Sequence, residues 1–251
     1  MAGHIRVGVG GWTYEPWRGV FYPESLVQKR ELEYAASKLT SIEINGTFYG
    51  SQKPASFAKW RDETPDGFIF SLKAPRYATH RRVLGEAGPT IERFLRSGLL
   101  ELKDKLGPIN WQLMPNTKFN PEDFEAFLKL LPAEQDGHAL RHAVEVRHVS
   151  FRVPQLAELA RQYGVAIVVA GDSAEYPLIE AETAPFVYAR IMGTREGEKL
   201  GYSPQALDSW AGRMKSWAAG KKGRDVFLYV ISGHKVSNPA AAQALLERVS
   251  R

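Results

Sequence analysis

The stretch Thr40-Ser-Ile-Glu-Ile-Asn-Gly-Thr-Phe-Tyr49 sets a carboxylate and an amide in alternation with β-branched residues. Side chains along a strand point to opposite faces in turn. Glu43, Asn45 and Thr47 therefore share one face, and Ile42 and Ile44 the other. If both faces are covered, the polar one needs partners or a ligand, because an unpaired buried polar group is costly.

Working outward, the same alternation recurs in short β-branched runs. Strands are expected at 5–9, 41–47, 68–73, 109–114, 143–147, 165–170, 186–192 and 226–231. Amphipathic stretches lie between them. From Thr90 to Leu106, the residues Ile91, Phe94, Leu95, Leu99, Leu102 and Leu106 fall at helical spacing. Ser203 to Ala219 repeats the pattern with Leu207, Trp210, Ala211, Met214 and Trp217. Pro204 suits a first helical turn, and Pro23, Pro54, Pro121, Pro154 and Pro239 are expected at or near other helix starts.

Eight strand–helix units in 251 residues predict an α/β fold, a TIM-like (β/α)8 barrel formed as one domain over residues 1–251. The sixth helix is expected to be short or irregular, because Asp172 to Ala184 carries little helical pattern. A doubly wound sheet fits less well. Gly8-Val-Gly10-Gly11 runs into Trp12-Thr-Tyr-Glu-Pro-Trp17, without the third glycine of a dinucleotide fingerprint.

Hydrophobic content of 44% and charged content of 24% suit a globular chain. The absence of cysteine excludes disulfides, a thiolate nucleophile and cysteine-ligated zinc. The first ten residues do not read as a signal peptide, and no run reaches membrane-spanning length; a cytoplasmic protein with no membrane partner is expected. A net charge of +5 suits an anionic ligand, with nucleic acid as the competing partner. Oligomeric state is left open.

The outer face of each barrel strand packs on helices, so polar residues within strands face inward. That parity selects Glu43, Asn45, Thr47, Ser71, Lys73, Asn110, Gln112, Met114, Glu145, Arg147, Tyr188, Arg190 and Tyr229, with Asp172 just past the sixth strand. Most stand toward the C-terminal strand ends, where barrel enzymes build their sites. Three cations (Lys73, Arg147, Arg190) and three carboxylates (Glu43, Glu145, Asp172) converge there. Two arrangements satisfy them: a salt-bridged plug closing the barrel, or a pocket for a charged ligand.

Aromatic residues Trp12, Tyr14, Trp17, Phe48 and Tyr49 follow the first two strands on the mouth side. Trp12 and Tyr14 are the expected stacking contacts for a substrate. The loops after the last two strands, Gly193-Thr-Arg-Glu-Gly197 and Ser232-Gly-His-Lys235, suggest a phosphate cradle built from Gly193, Thr194, Gly233 and Lys235. The basic loop Ala74-Pro-Arg-Tyr-Ala-Thr-His-Arg-Arg82 offers Arg76 and His80 to the mouth.

The chain resembles the YecE-like family, also called domain of unknown function 72, along its whole length. The resemblance rests on Gly10-Gly-Trp-Thr-Tyr-Glu-Pro-Trp-Arg-Gly-Val-Phe-Tyr-Pro23, Glu43-Ile-Asn-Gly-Thr-Phe-Tyr49, Lys73-Ala-Pro-Arg-Tyr-Ala-Thr-His80, Gln112-Leu-Met-Pro115 and Glu145-Val-Arg-His148. It implies a TIM-like barrel, an intracellular location and a distant likeness to sugar isomerases. Two places depart from the family pattern. Tyr229-Val-Ile-Ser232 replaces an aromatic followed by two asparagines, and Gln112-Leu-Met-Pro115 replaces Gln-x-Pro-Pro.

The chemistry expected of these residues is acid–base work on a small polar or anionic metabolite, a sugar acid or sugar phosphate. Glu43 or Glu145 would be the general base, with Lys73, Arg147 and Arg190 holding the anion. The catalytic set is thus Glu43, Lys73, Glu145 and Arg147. Trp12, Tyr14, Asn45, Arg76, His80, Gln112, Asp172, Arg190 and Tyr229 form the substrate-binding set. A Schiff base on Lys73 ranks below acid–base work, and a glycosidase using Glu145 and Asp172 lower again. No cofactor is expected. A divalent metal on Glu43, Glu145 and Asp172 is disfavoured by the neighbouring arginines. The other classes are a nucleic-acid-binding protein using the same basic and aromatic residues, and a non-catalytic ligand sensor.

Overall fold

The computed structural model describes residues 2–219 and 223–251. None of the site residues assigned above falls outside them. Strands β1 (Ile5–Gly10), β2 (Ser41–Ile44), β3 (Ile69–Lys73), β4 (Leu106–Gln112) and β5 (His142–Glu145) form the first five staves. The sixth stave is two short segments, β6 (Ala166–Ile167) and β7 (Val169–Gly171). Strands β8 (Phe186–Ile191) and β9 (Asp225–Val230) complete the set.

All pairings in this sheet are parallel, in the order β6-β5-β4-β3-β2-β1-β9-β8-β7. Because β6 pairs with β5 and β7 with β8, the split sixth stave brings the sheet almost full circle. At the break, the Val168 N–H donates to the Val144 carbonyl. The result is a TIM-like α/β barrel.

Helices α1 (Glu31–Lys38), α2 (Pro54–Asp62), α3 (Gly88–Leu95), α4 (Pro121–Lys129), α5 (Pro154–Gln162), α6 (Pro204–Ala218) and α7 (Asn238–Val249) pack outside. Pro54, Pro121, Pro154, Pro204 and Pro239 all sit in first turns, where a missing N–H removes no hydrogen bond. Asn120 and Ser203 cap α4 and α6, their side chains accepting from the N–H groups of Asp123 and Ala206. Between Asp172 and Pro185 the chain forms no helix, so the sixth connection is irregular.

Local expectations fail in four places. Pro23 lies in a loop well before α1. The stretch from Thr90 to Leu106 is not one helix: α3 ends at Leu95, and a 3-10 segment runs from Leu99 to Lys105. The break is at Gly98, whose φ of 100° is left-handed and whose α-carbon lies against Pro54; an added Cβ would stand 2.6 Å from the proline ring. Strand β2 ends at Ile44, because Asn45 turns helical (φ −89°, ψ −20°) and Gly46–Tyr49 forms a single helical turn. A hairpin pairing Glu134–Gln135 with His138–Ala139 lies outside the eight expected strands, although its Asp136-Gly137 turn, with φ of 49° and 79°, is a recognised hairpin signal.

Burial follows the expected parity. The outward set, including Val7, Val9, Ile42, Ile44, Leu72, Ile109, Trp111, Val144, Val187, Ala189 and Leu228, joins the helices in one apolar layer. A separate inner cluster holds Ile69, Ala143, Phe186, Tyr188, Phe227 and Tyr229 and fills the lower barrel. Among the described residues, no helix is long and apolar enough to cross a membrane.

Candidate functional site at the barrel mouth

Above the inner apolar cluster the barrel turns polar, and it does so in tiers. Lowest is Tyr229, fully buried, whose hydroxyl shares hydrogen bonds with Ser41 (2.7 Å) and Ser71 (2.6 Å). Next to it the Tyr188 hydroxyl donates to Glu43 at 2.5 Å. Burial, then the charge on Glu43, pushes that phenol well above its ordinary range.

Arg190 forms the centre. Its guanidinium bonds Glu43 at 3.0 Å and Glu145 at 2.5 Å, bridging strands β2 and β5 from β8. Arg147, just past β5, takes the other oxygen of Glu145 at 2.7–2.8 Å and the Gln112 amide oxygen at 2.8 Å. The Asn110 amide nitrogen lies between the two carboxylates, 3.5 Å from Glu43 and 3.3 Å from Glu145. Both glutamates are fully buried. Burial alone would raise Glu145, but Arg190 and Arg147 outweigh it and hold its carboxyl down at about 2. Two carboxylates and two guanidiniums cancel, so this tier is a neutral, hydrogen-bonded floor.

Above the floor lies a cavity of about 670 Å³. Arg190, Arg147 and Gln112 face it from below; Lys73, Asn45 and His80 line its side; Trp12, Tyr14, Trp60 and Lys235 stand on its wall. Lys73 is almost fully buried and lies 4.0 Å over the Phe48 ring. Its ammonium makes no hydrogen bond or ion pair with any described residue. Burial, and next the positive charge of Arg190, pulls Lys73 down to about 8; Glu43 and Glu145 oppose that, and Arg147 adds to it. Burial and the cations Lys73, Arg147 and Arg76 also lower His80. Lys235 is exposed, with its Nζ 5.4 Å over the Tyr14 ring.

Of the residues assigned from sequence, the cavity gathers Trp12, Tyr14, Asn45, Lys73, His80, Gln112, Arg147, Arg190 and Lys235. Glu43 and Glu145 lie beneath it, their oxygens held by the arginines. Tyr229 is deeper still. Asp172 points elsewhere: its carboxylate accepts from the Met192 N–H at 2.6 Å and the Tyr202 hydroxyl at 2.8 Å, fastening the loop after β8.

Arg76 is exposed and stacks on Tyr77 outside the cavity. Gly193, Thr194 and Gly233 also lie off its wall. The Thr194 hydroxyl is directed to Ser232, His234 and Asn238, which locks the last two loops together and leaves it turned from the mouth. Among the described residues no three His, Asp or Glu side chains converge as metal ligands.

Three lining or supporting residues had no signal in the sequence. Trp60 comes from α2, where it reads as an ordinary apolar helix position. Asn238 opens α7 and reads as a cap. Tyr176, in the irregular sixth connection, stacks on Arg147 at 4.3 Å and accepts a 3.3 Å hydrogen bond from it.

The chain is similar to several known proteins. UPF0759 protein YecE of Escherichia coli (strain K12) is 29% identical over 150 residues, covering 59% of this chain and 50% of that protein. The chain thus spans about half the length of the curated relatives it matches. A DUF72 family protein from Thermotoga maritima superposes with a TM-score of 0.81 at 23% identity, over 99% of this chain and 100% of that one. One from Enterococcus faecalis V583 gives 0.77 at 17% identity, over 98% and 96%. A D-psicose 3-epimerase shares the barrel at a TM-score of 0.51 and 12% identity, over 98% and 96%. The family profile described as "Protein of unknown function DUF72" matches residues 6–251, and the chain belongs to that family.

Proposed function

We propose that this protein is an enzyme that binds a small anionic metabolite, of the sugar acid or sugar phosphate class, in the cavity at the barrel mouth and transfers protons on it. One observation carries the reading. The glutamates below the cavity are already matched by Arg190 and Arg147, so the buried Lys73 ammonium above them has no counterpart among the described residues, and the exposed Lys235 adds positive charge at the rim. An anion is the ligand that balances such a site. The barrel shared with D-psicose 3-epimerase supports a sugar-like skeleton.

Proton transfer falls to Lys73, not to Glu145. A group near 8 exchanges protons readily around neutral pH, whereas a carboxyl held at about 2 is a weak base. Arg147 and Gln112 supply donor and acceptor groups at the cavity floor, and Trp12 and Tyr14 offer an apolar wall.

Thermal unfolding with a panel of sugar acids, sugar phosphates and matched neutral sugars tests this. A bound anion at a hundred times its Kd stabilises by about 2.7 kcal/mol. The gain should vanish in Lys73→Met and Arg147→Ala and be absent for neutral sugars. Equal gains in parent and variants would refute the reading.

A further inference from the structure

Lys73 has the surroundings of a nucleophile as well as of a proton carrier. It projects from the C-terminal end of β3 into the cavity at the barrel mouth, held between the Phe48 ring and the floor. Its own backbone is pinned, since the Thr47 hydroxyl donates to the Lys73 carbonyl at 2.7 Å. The charged groups that face it are Arg190, Arg147, Glu43, Glu145 and, at the rim, His80. Each carboxylate among them is bonded to an arginine, and none bonds to Lys73. The carboxylates favour its charged form only from a distance, and burial and Arg190 outweigh them.

We propose that Lys73 forms an imine with a carbonyl-bearing anionic ligand, which makes the substrate class an aldehyde or ketone acid or phosphate. The inference rests on the anion-binding reading above. In the step, the uncharged Nζ adds to the carbonyl carbon and the carbonyl oxygen takes up a proton. The carbinolamine then loses that oxygen as water while the C=N bond forms. One proton of the amine ends on the departing water and the other stays on nitrogen, while solvent supplies the water's second proton; no oxidant or reductant is needed. A protonated imine draws electrons from the neighbouring carbon, which eases loss of a proton there. His80 lines the same cavity and is lowered by burial and then by its cationic neighbours, so it supplies a ring for proton movement.

At pH 7 a lysine near 8 has on the order of a hundredfold more free amine than one at the ordinary value of 10.5. The protein is incubated with glyoxylate, an anionic aldehyde, and reduced with borohydride. Adducts are then mapped by peptide mass spectrometry, with propionaldehyde as the uncharged comparison. The expected result is an adduct concentrated at Lys73 and favoured with glyoxylate over propionaldehyde. Its yield rises through pH 8, and Lys73→Arg, which keeps the charge, abolishes it. Lys235→Ala should lower the preference for glyoxylate while leaving the position of the adduct unchanged. Adducts spread over exposed lysines, or none at Lys73, overturn the imine. If sugar phosphates still stabilise the parent in that case, the anion-binding reading survives alone. Labelling of Lys73 by propionaldehyde with no stabilisation by any anion would instead sink that reading.

Discussion

Removing Arg190 tests the floor directly. Its guanidinium holds Glu43 at 3.0 Å and Glu145 at 2.5 Å, and both carboxylates are fully buried. In Arg190→Leu, Glu145 keeps Arg147, but Glu43 is left with only Tyr188 and Asn110. Breaking a buried ion pair from one side costs about 3–5 kcal/mol. That is a large share of the roughly 5–15 kcal/mol that stabilises a typical domain.

Glu145 gives an independent magnitude for the native network. Its carboxyl falls from 4.5 to about 2 on folding, which is about 3 kcal/mol of stability. Because the folded value is the lower one, this contribution is complete above pH 4.5 and is lost as the pH falls toward 2. In Arg190→Leu the sign reverses. Two carboxylates sharing the Asn110 amide without their central cation take up a proton more easily folded than unfolded, so acid relieves the defect.

Urea unfolding at pH 7 and at pH 5 should therefore show a loss of about 3–5 kcal/mol at pH 7 that narrows at pH 5. The double variant Glu43→Gln, Arg190→Met, which keeps the Glu145–Arg147 pair, should recover most of it, and it keeps the test open if Arg190→Leu does not fold. A loss below about 1 kcal/mol at pH 7, or one that is equal at both pH values, would refute the reasoning.

Two further perturbations separate scaffold from site. Gly98→Ala forces a side chain into a φ of 100° and to within 2.7 Å of the Pro54 backbone. It should cost about 2 kcal/mol or more in urea unfolding, and a change within about 0.5 kcal/mol would contradict the close packing of Gly98 on α2. Asp172→Ala leaves the Met192 N–H and the Tyr202 hydroxyl without their acceptor. It should cost about 1–3 kcal/mol and speed tryptic cleavage at Arg195 or Lys199, with anion affinity little changed; an unaltered digestion pattern would show that the carboxylate does not fasten this loop.

The barrel was legible because strand periodicity is a local property. Ile42, Ile44, Val187 and Ala189 face the helices by parity alone, and the polar residues between them face the axis by the same rule. Parity fails where the strand stops. Asn45 reaches the cavity from a helical turn, and Arg147 from beyond β5, so their positions depend on loop geometry that no alternation encodes. Asp172 shows the difficulty most sharply. As an acid past a strand end it looks like a site residue, yet a left-handed φ of 50° lets it bond the Met192 N–H across the sheet edge. Which carboxylate pairs with which arginine is equally non-local, since Glu43 and Arg190 are 147 residues apart.

The sequence allowed either a salt-bridged plug or a ligand pocket, and the barrel has a salt-bridged floor with a cavity above it. The reason lies in the count of charges along the axis. Glu43 and Glu145 suffice for Arg190 and Arg147 but for no further cation, and Asp172 is engaged by the backbone and Tyr202. Lys73 lies one tier higher, where the strand ends splay into the cavity and no acid follows it. A fully matched set would have closed the barrel as an inert core. A wholly unmatched one would have left several buried ions to be stabilised by ligand alone, at several kcal/mol each. The observed division instead gives a stiff, neutral platform whose hydrogen bonds fix Arg147 and Gln112. It leaves Lys73 as the buried amine above that platform, the group that the proposed anion would meet.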